Sequence, residues 1–231
     1  MGQIHRTTSE TRRPGTVTRQ DLVRADPVAW ASWLRTRGDL AATPHLAGWA
    51  EMGRPLIVRR RVPGEGAEAV PLGLPLPPAD GKRRIGLALP AEHLTRIAGP
   101  GLEEAAAHAP AAWAATIAAA MAVGERYGLK PRPFGGLLWQ AVTGLTYLSA
   151  SSDLDLLWPC REPVPTGLLD GLASIAETAP MRLDGEILLP DGTGLHWCEL
   201  RDAPEGGTVL AKGPDGLAMR PVAALRIRDA V

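Results

Sequence analysis

Apolar residues recur along this chain in two periods, and the two periods divide it into helices and strands. Between residues 102 and 127 an alanine-rich stretch carries Trp113, Ile117 and Met121 at intervals of four, the stripe of one helix face. Pro110 interrupts the run and opens its second helix, and Gly128 stands where a left-handed cap would end it. Leu168, Leu169, Leu172 and Ile175 predict another helix over 165–178. Near the start, Asp26 and Pro27 form a cap and first turn for a helix that places Trp30, Trp33 and Leu34 on one side as core.

The period-two segments are richer in branched residues. Residues 55–62 read as a strand with Arg59 and Arg61 on one face and Arg60 on the other, and Lys82, Arg83 and Arg84 open a strand over 85–89. Residues 71–78 hold too many prolines for a central strand and predict an extended edge or connector. Further strands are predicted over 181–189, 194–200 and 207–211, with turns at Pro190-Asp191-Gly192 and Gly213-Pro214-Asp215-Gly216. The first 18 residues are polar and predict a disordered tail. Helices and strands thus mix without strict alternation, an α+β chain. Its expected parts are a smaller α+β N-terminal domain over 19–105 and a C-terminal domain over 106–231 that combines a mixed sheet with helices.

Composition narrows the function classes. A chain of 231 residues with 45% hydrophobic content can bury a real core, and its apolar runs fall short of the roughly 18 residues a membrane span needs. No secretory h-region opens the sequence, so a cytoplasmic protein with no membrane partner is expected. Cys160 and Cys198 are too few and too far apart for a metal pattern or a disulfide framework and read as reduced structural thiols. Through Pro110 the chain has 15 Lys and Arg against 11 Asp and Glu; beyond it, 10 against 14. That balance is too mild for a nucleic-acid binder, but it suits a basic half facing phosphates and an acidic half holding metal.

The candidate chemistry sits in one stretch. Phe134-Gly135-Gly136 precedes Ser152-Asp153-Leu154-Asp155-Leu156, in which alternation sets Asp153 and Asp155 on one face and the leucines on the other. Two such carboxylates repel unless a cation lies between them, and hard ions such as Mg²⁺ bind through carboxylates plus substrate phosphates. Gly135 and Gly136 lack Cβ atoms, so the backbone can approach a ligand and the N–H groups of a following helix can meet phosphate. An Asp-x-Asp pair is by itself as compatible with a solvated strand end. Asp184 on a later strand adds a third carboxylate that could complete a metal cage or accept a hydroxyl proton, with Glu186 on the same face as the alternative. The basic triplets at 59–61 and 82–84 read either as edge protection or as phosphate contacts, for which Arg59, Arg61, Lys82 and Arg83 are the candidates.

The order helix, Gly-Gly, Asp-hydrophobic-Asp and later strand Asp resembles the core of the DNA polymerase β-type nucleotidyltransferases. More narrowly, Arg19-Gln20-Asp21-Leu22-Val23, Arg54-Pro55-Leu56-Ile57-Val58, Pro71-Leu72-Gly73-Leu74-Pro75, Trp139-Gln140-Ala141 with Thr143-Gly144-Leu145, and Ser152-Asp153-Leu154-Asp155 together resemble the malonate decarboxylase holo-acyl-carrier-protein synthases, also called phosphoribosyl-dephospho-CoA transferases. The resemblance implies a nucleotidyltransferase-like C-terminal domain. It also implies transfer of a prosthetic group from 2′-(5″-triphosphoribosyl)-3′-dephospho-CoA to a serine of the malonate decarboxylase acyl-carrier subunit, with release of pyrophosphate. Asp153, Asp155 and Asp184 would then be catalytic and hold Mg²⁺, and Gly135, Gly136 and Ser152 would lie against the donor. Rival readings are a related prosthetic-group transferase of the citrate lyase type, a small-molecule nucleotidyltransferase, and a silent module that binds dephospho-CoA or the carrier. A zinc site from His196, Cys198 and Glu199 lacks a visible partner pair.

Overall fold

The computed structural model describes residues 17–62, 64–214 and 216–227. The first 16 residues of the expected tail, Pro63, Asp215 of the expected turn and the last four residues lie outside the described residues. Two sheets organise the rest. In chain order the first part runs β1 (Leu22–Ala25), α1 (Pro27–Arg35), β2 (Leu56–Val58), β3 (Ala69–Pro75), β4 (Arg84–Pro90) and β5 (Leu94–Ile97). The second runs α2 (Leu102–Ala106), α3 (Ala114–Arg126), β6 (Arg132–Pro133), α4 (Gly135–Thr143), β7 (Leu154–Pro159), β8 (Val164–Pro165) and α5 (Thr166–Thr178). It continues with β9 (Leu183–Leu188), β10 (Gly194–His196), α6 (Trp197–Asp202), β11 (Thr208–Lys212), β12 (Leu217–Pro221) and β13 (Arg226–Ile227).

The first sheet is antiparallel, in the order β4-β3-β2-β1-β5. The Asp26 carboxylate caps α1 by accepting from the N–H groups of Val28 and Ala29, with Pro27 in the first turn. Trp30 is fully buried and its indole N–H donates to the Leu46 carbonyl at 2.8 Å. Contrary to the sequence expectation, β3 is internal to the sheet. Its prolines are tolerated because β2 pairs only Leu72 and Gly73 between them, so no ladder bond on that side needs the N–H that Pro71 and Pro75 lack. Their carbonyls still accept, Pro71 from the Arg59 N–H at 3.0 Å and Pro75 from the Tyr147 hydroxyl at 2.9 Å.

The second sheet has the order β12-β11-β10-β9-β7-β6, antiparallel except for β7 and β9, which are parallel and joined through α5. Leu154, Leu156, Trp158, Leu183, Ile187 and Leu195 point to the face covered by α3, α5 and α6 and are buried there. The opposite face carries the polar side chains. The expected strand over 194–200 stops at His196, because Trp197 and Leu200 bury at helical spacing and turn the chain into α6. As expected, Gly128 takes a left-handed φ of 65° after α3.

The helix that begins at the Gly-Gly pair ties the two halves together. Leu137 of α4 packs in the core of the second sheet, whereas Trp139, with Tyr147 just beyond the helix, packs among Leu72, Leu74 and Ile85 in the core of the first. Opposite sides of one short helix therefore fill two cores. Trp139→Ala should cost about 3–5 kcal/mol by emptying a buried site; urea unfolding would measure it, and a loss below 1 kcal/mol would show that α4 does not join the cores.

Candidate active site

Parallel pairing fixes the centre of the site. Asp155 of β7 and Asp184 of β9 are direct register partners on the open sheet face, and Asp153 lies just before β7. Arg182, two residues ahead of Asp184, reaches across: its Nη2 donates to Asp153 Oδ2 at 2.8 Å and also to Asp184 Oδ2, and its Nε donates to Asp153 at 3.1 Å. The other Asp184 oxygen accepts from the Gly185 N–H at 2.7 Å and lies 2.9 Å from His196 Nε2.

Asp155 has no such partner among the described residues and is half-buried. Burial, then the charges of Asp184 and Asp153, push its carboxyl up to about 6, against the opposing pull of Arg182 and Arg84. Its carboxylate lies directly over Gly135, where any Cβ would overlap it, and Gly135 takes a left-handed φ of 54°. At Gly136 a Cβ would come within 2.8 Å of Leu148 Cδ2, so the Leu148 side chain takes that space. No side chain caps α4, so the N–H groups of its first turn have no side-chain acceptor at a helix start that lies against Asp155.

The residues singled out in the sequence divide clearly. Asp153, Asp155, Asp184, Gly135 and Gly136 come together. Ser152 sits in the turn leading into β7, where its Oγ accepts from the Ser149 N–H at 2.9 Å. Lys82 and Arg83 are exposed in the turn before β4, and it is Arg84 that comes close enough to act on Asp155. Arg59 and Arg61 lie beyond the end of β2 and brace the loop that follows it. Arg59 forks onto Glu65 and the Leu72 carbonyl, and Arg61 onto the carbonyls of Gly66 and Ala69. Glu186 is spoken for: Arg19 reaches it at 3.1 Å, Lys212 at 2.9 Å and Gln20 at 3.3 Å. That cluster holds Glu186 charged and leaves Asp184 as the third carboxylate beside Asp155.

Two participants escaped the sequence reading. Arg182 shares a strand face with Asp184 at spacing two, a signal that was available; His196 depends on the β9–β10 pairing and was not legible. Among the described residues no group of three or more His, Cys, Asp or Glu is gathered tightly enough to hold a metal ion as it stands. A cation nevertheless fits the donor set. The side chains are oxygen donors of the kind Mg²⁺ prefers, Asp155 is unpaired, and the Arg182 guanidinium already supplies positive charge between Asp153 and Asp184 from an exposed position. Cys198 and Glu199 lie on α6, away from the strand position that a zinc site with His196 would need.

A mixed sheet with carboxylates paired across parallel strands, beside an uncapped Gly-Gly helix start, defines a nucleotidyltransferase of the polymerase β type. The chain matches the models of the phosphoribosyl-dephospho-CoA transferase MdcG N-terminal domain over residues 12–100 and of its C-terminal domain over residues 101–223, and it belongs to this family. A phosphoribosyl-dephospho-CoA transferase of Bradyrhizobium diazoefficiens is 41% identical over 191 residues, covering 82% of this chain and 83% of that protein. One from Xanthomonas campestris is 40% identical over 186 residues, covering 80% and 86%, and one from Pseudomonas putida is 32% identical over 168, covering 71% and 77%. No solved structure matches the chain. No helix among the described residues is long and apolar enough to cross a membrane.

The raised Asp155 carboxyl has a thermodynamic consequence. Because its folded value lies above the unfolded one, the folded state binds more protons between about pH 4 and 6, and stability falls as pH rises through that window. Asp155→Asn lacks the penalty. It should match the wild type below pH 4 and exceed it by up to about 3 kcal/mol above pH 6 in chemical unfolding without divalent cations; a variant less stable than wild type at pH 7 would contradict the assigned electrostatics.

Proposed function

We propose that this chain transfers the phosphoribosyl-dephospho-CoA group from 2′-(5″-triphosphoribosyl)-3′-dephospho-CoA to a serine of the malonate decarboxylase acyl-carrier subunit, releasing pyrophosphate. The observation that carries the reading is the pairing of Asp155 with Asp184 beside the open N-terminus of α4. The similarity to proteins named phosphoribosyl-dephospho-CoA transferase supports the choice of group.

In this reading Asp153, Asp155 and Asp184 would hold Mg²⁺, which when bound would offset the charge of the triphosphate and of the departing pyrophosphate. The chain's own groups do the rest. The first-turn N–H groups at Gly135 and Gly136, which no side chain caps, donate to phosphate oxygens. Arg84, at the start of β4 in the first sheet, adds positive charge near Asp155, with Lys82 and Arg83 in the exposed turn just before it. Arg182 is free to leave the carboxylates because it is mostly solvent-exposed, and it can turn its fork to the leaving pyrophosphate. The carrier serine Oγ forms the new bond to the α-phosphorus as the bond to pyrophosphate breaks. The hydroxyl proton passes to Asp184, oriented by His196 on one oxygen. Placement of these groups rather than covalent chemistry supplies the rate.

Intact-mass measurement of an apo acyl-carrier subunit incubated with the triphosphoribosyl donor, Mg²⁺ and this protein should show addition of one phosphoribosyl-dephospho-CoA. The gain should vanish with a chelator and fall at least about 100-fold in rate for Asp155→Asn and Asp184→Asn. Unchanged transfer in either variant would remove the carboxylates from the mechanism, and no transfer by the wild type would end the proposal.

A further inference from the structure

Between the outer strands of the two sheets, β5 on one side and β6 on the other, lies a cavity of about 980 Å³ that the carboxylate chemistry does not use. We propose that it seats the dephospho-CoA moiety of the donor, with the adenine at the Phe134 end and the pantetheine arm running along the strand edges; this rests on the transfer reading above.

Three features of the cavity support the assignment. The first is position. Leu157 lines its floor and stands two residues beyond Asp155 on the same strand face, a step of roughly 6–7 Å. A donor with its phosphates at Asp155 cannot extend through the back of the sheet, which the helices cover, nor easily over β9 to β11, where Glu186 is bound by Arg19 and Lys212. The way over Leu157 leads into the cavity, whose volume lies in the range of roughly 300–1,000 Å³ that encloses small ligands.

The second is lining chemistry. Leu22, Leu94, Ile97 and Leu138 make the walls apolar, yet β5 and β6 are both edge strands, each with one side free of sheet partners. Pantetheine has a matching character, a short aliphatic chain interrupted by two amides that can pair with strand-edge peptide groups. Phe134, the one phenylalanine in the chain, is half-buried at the end nearest Asp155 and offers a ring face for a purine.

The third is charge. Arg132 of β6 is exposed on the cavity wall and has no ion-pair partner among the described residues, while Arg96 of β5 shares its charge with Asp21 at 2.7 Å. The central diphosphate of dephospho-CoA is the anion these positions fit.

The test uses dephospho-CoA itself as the probe, titrated calorimetrically into the full chain without metal. The wild type should bind it, Asp155→Asn should bind it within about twofold of wild type, and Phe134→Ala and Arg132→Ala should each weaken it at least tenfold while melting as the wild type does. Arg132 is a surface side chain, so its variant keeps the test sound even if Phe134→Ala disturbs the start of α4. Wild-type affinity in both cleft variants, or displacement of dephospho-CoA by the apo carrier subunit alone, would overturn the assignment. If the cleft variants lose dephospho-CoA but the wild type transfers nothing to the carrier, the cleft stands and the transfer reading falls.

Discussion

Asp155 and Asp184 face each other across two parallel strands, and the site depends on their mutual repulsion being sustained without collapse. Parallel pairing makes them neighbours by register, so neither can turn away without breaking the ladder that buries Leu154, Leu156 and Leu183 behind them. Asp184 is relieved by Arg182, His196 and its own neighbouring N–H; Asp155 is not, and its proton affinity rises. Hydrophobic burial on one face of the sheet thus keeps charge concentrated on the other.

The same constraint explains why glycine occupies the head of α4. The Asp155 carboxylate fills the place of a Cβ at Gly135, and Leu148 fills it at Gly136, so the helix start lies against the charged group with its N–H groups open. Further along, Leu137 and Trp139 commit the helix to both cores. A displacement between the two sheets would therefore be felt at the head of α4, next to the Asp155 carboxylate. Arg84 and the Arg19 link to Glu186 are further ties from the first part of the chain to the face that carries the carboxylates.

Much of this was legible in the sequence because it follows from local periods. Alternation in residues 153–156 placed the carboxylates, a strand-helix-strand order through α5 allowed β7 and β9 to be parallel, and Asp26-Pro27 marked a helix start that the structure shows. Legibility failed where a residue's role is set by a distant partner. The prolines of β3 look incompatible with an internal strand, but β2 is so short that it pairs only Leu72 and Gly73 between them and asks neither proline for an N–H. Arg59 and Arg61 share the charge and strand propensity of a phosphate contact, and only the fold of the loop at 59–69 shows their guanidinium groups turned to Glu65 and to backbone carbonyls. Residues 197–200 alternate passably as a strand, and tertiary burial of Trp197 and Leu200 made them a helix.

The central claim is that the Asp155 carboxylate is kept in an unfavourable ionic environment that a divalent cation relieves. Calorimetric titration of Mg²⁺ at pH 6, in two buffers of different ionisation enthalpy, reads this directly as protons released per ion bound. With Asp155 titrating at about 6, roughly half a proton should leave the wild-type protein on binding and none should leave Asp155→Asn. Mg²⁺ binding with equal proton release in both proteins, or with none in either, would contradict the account.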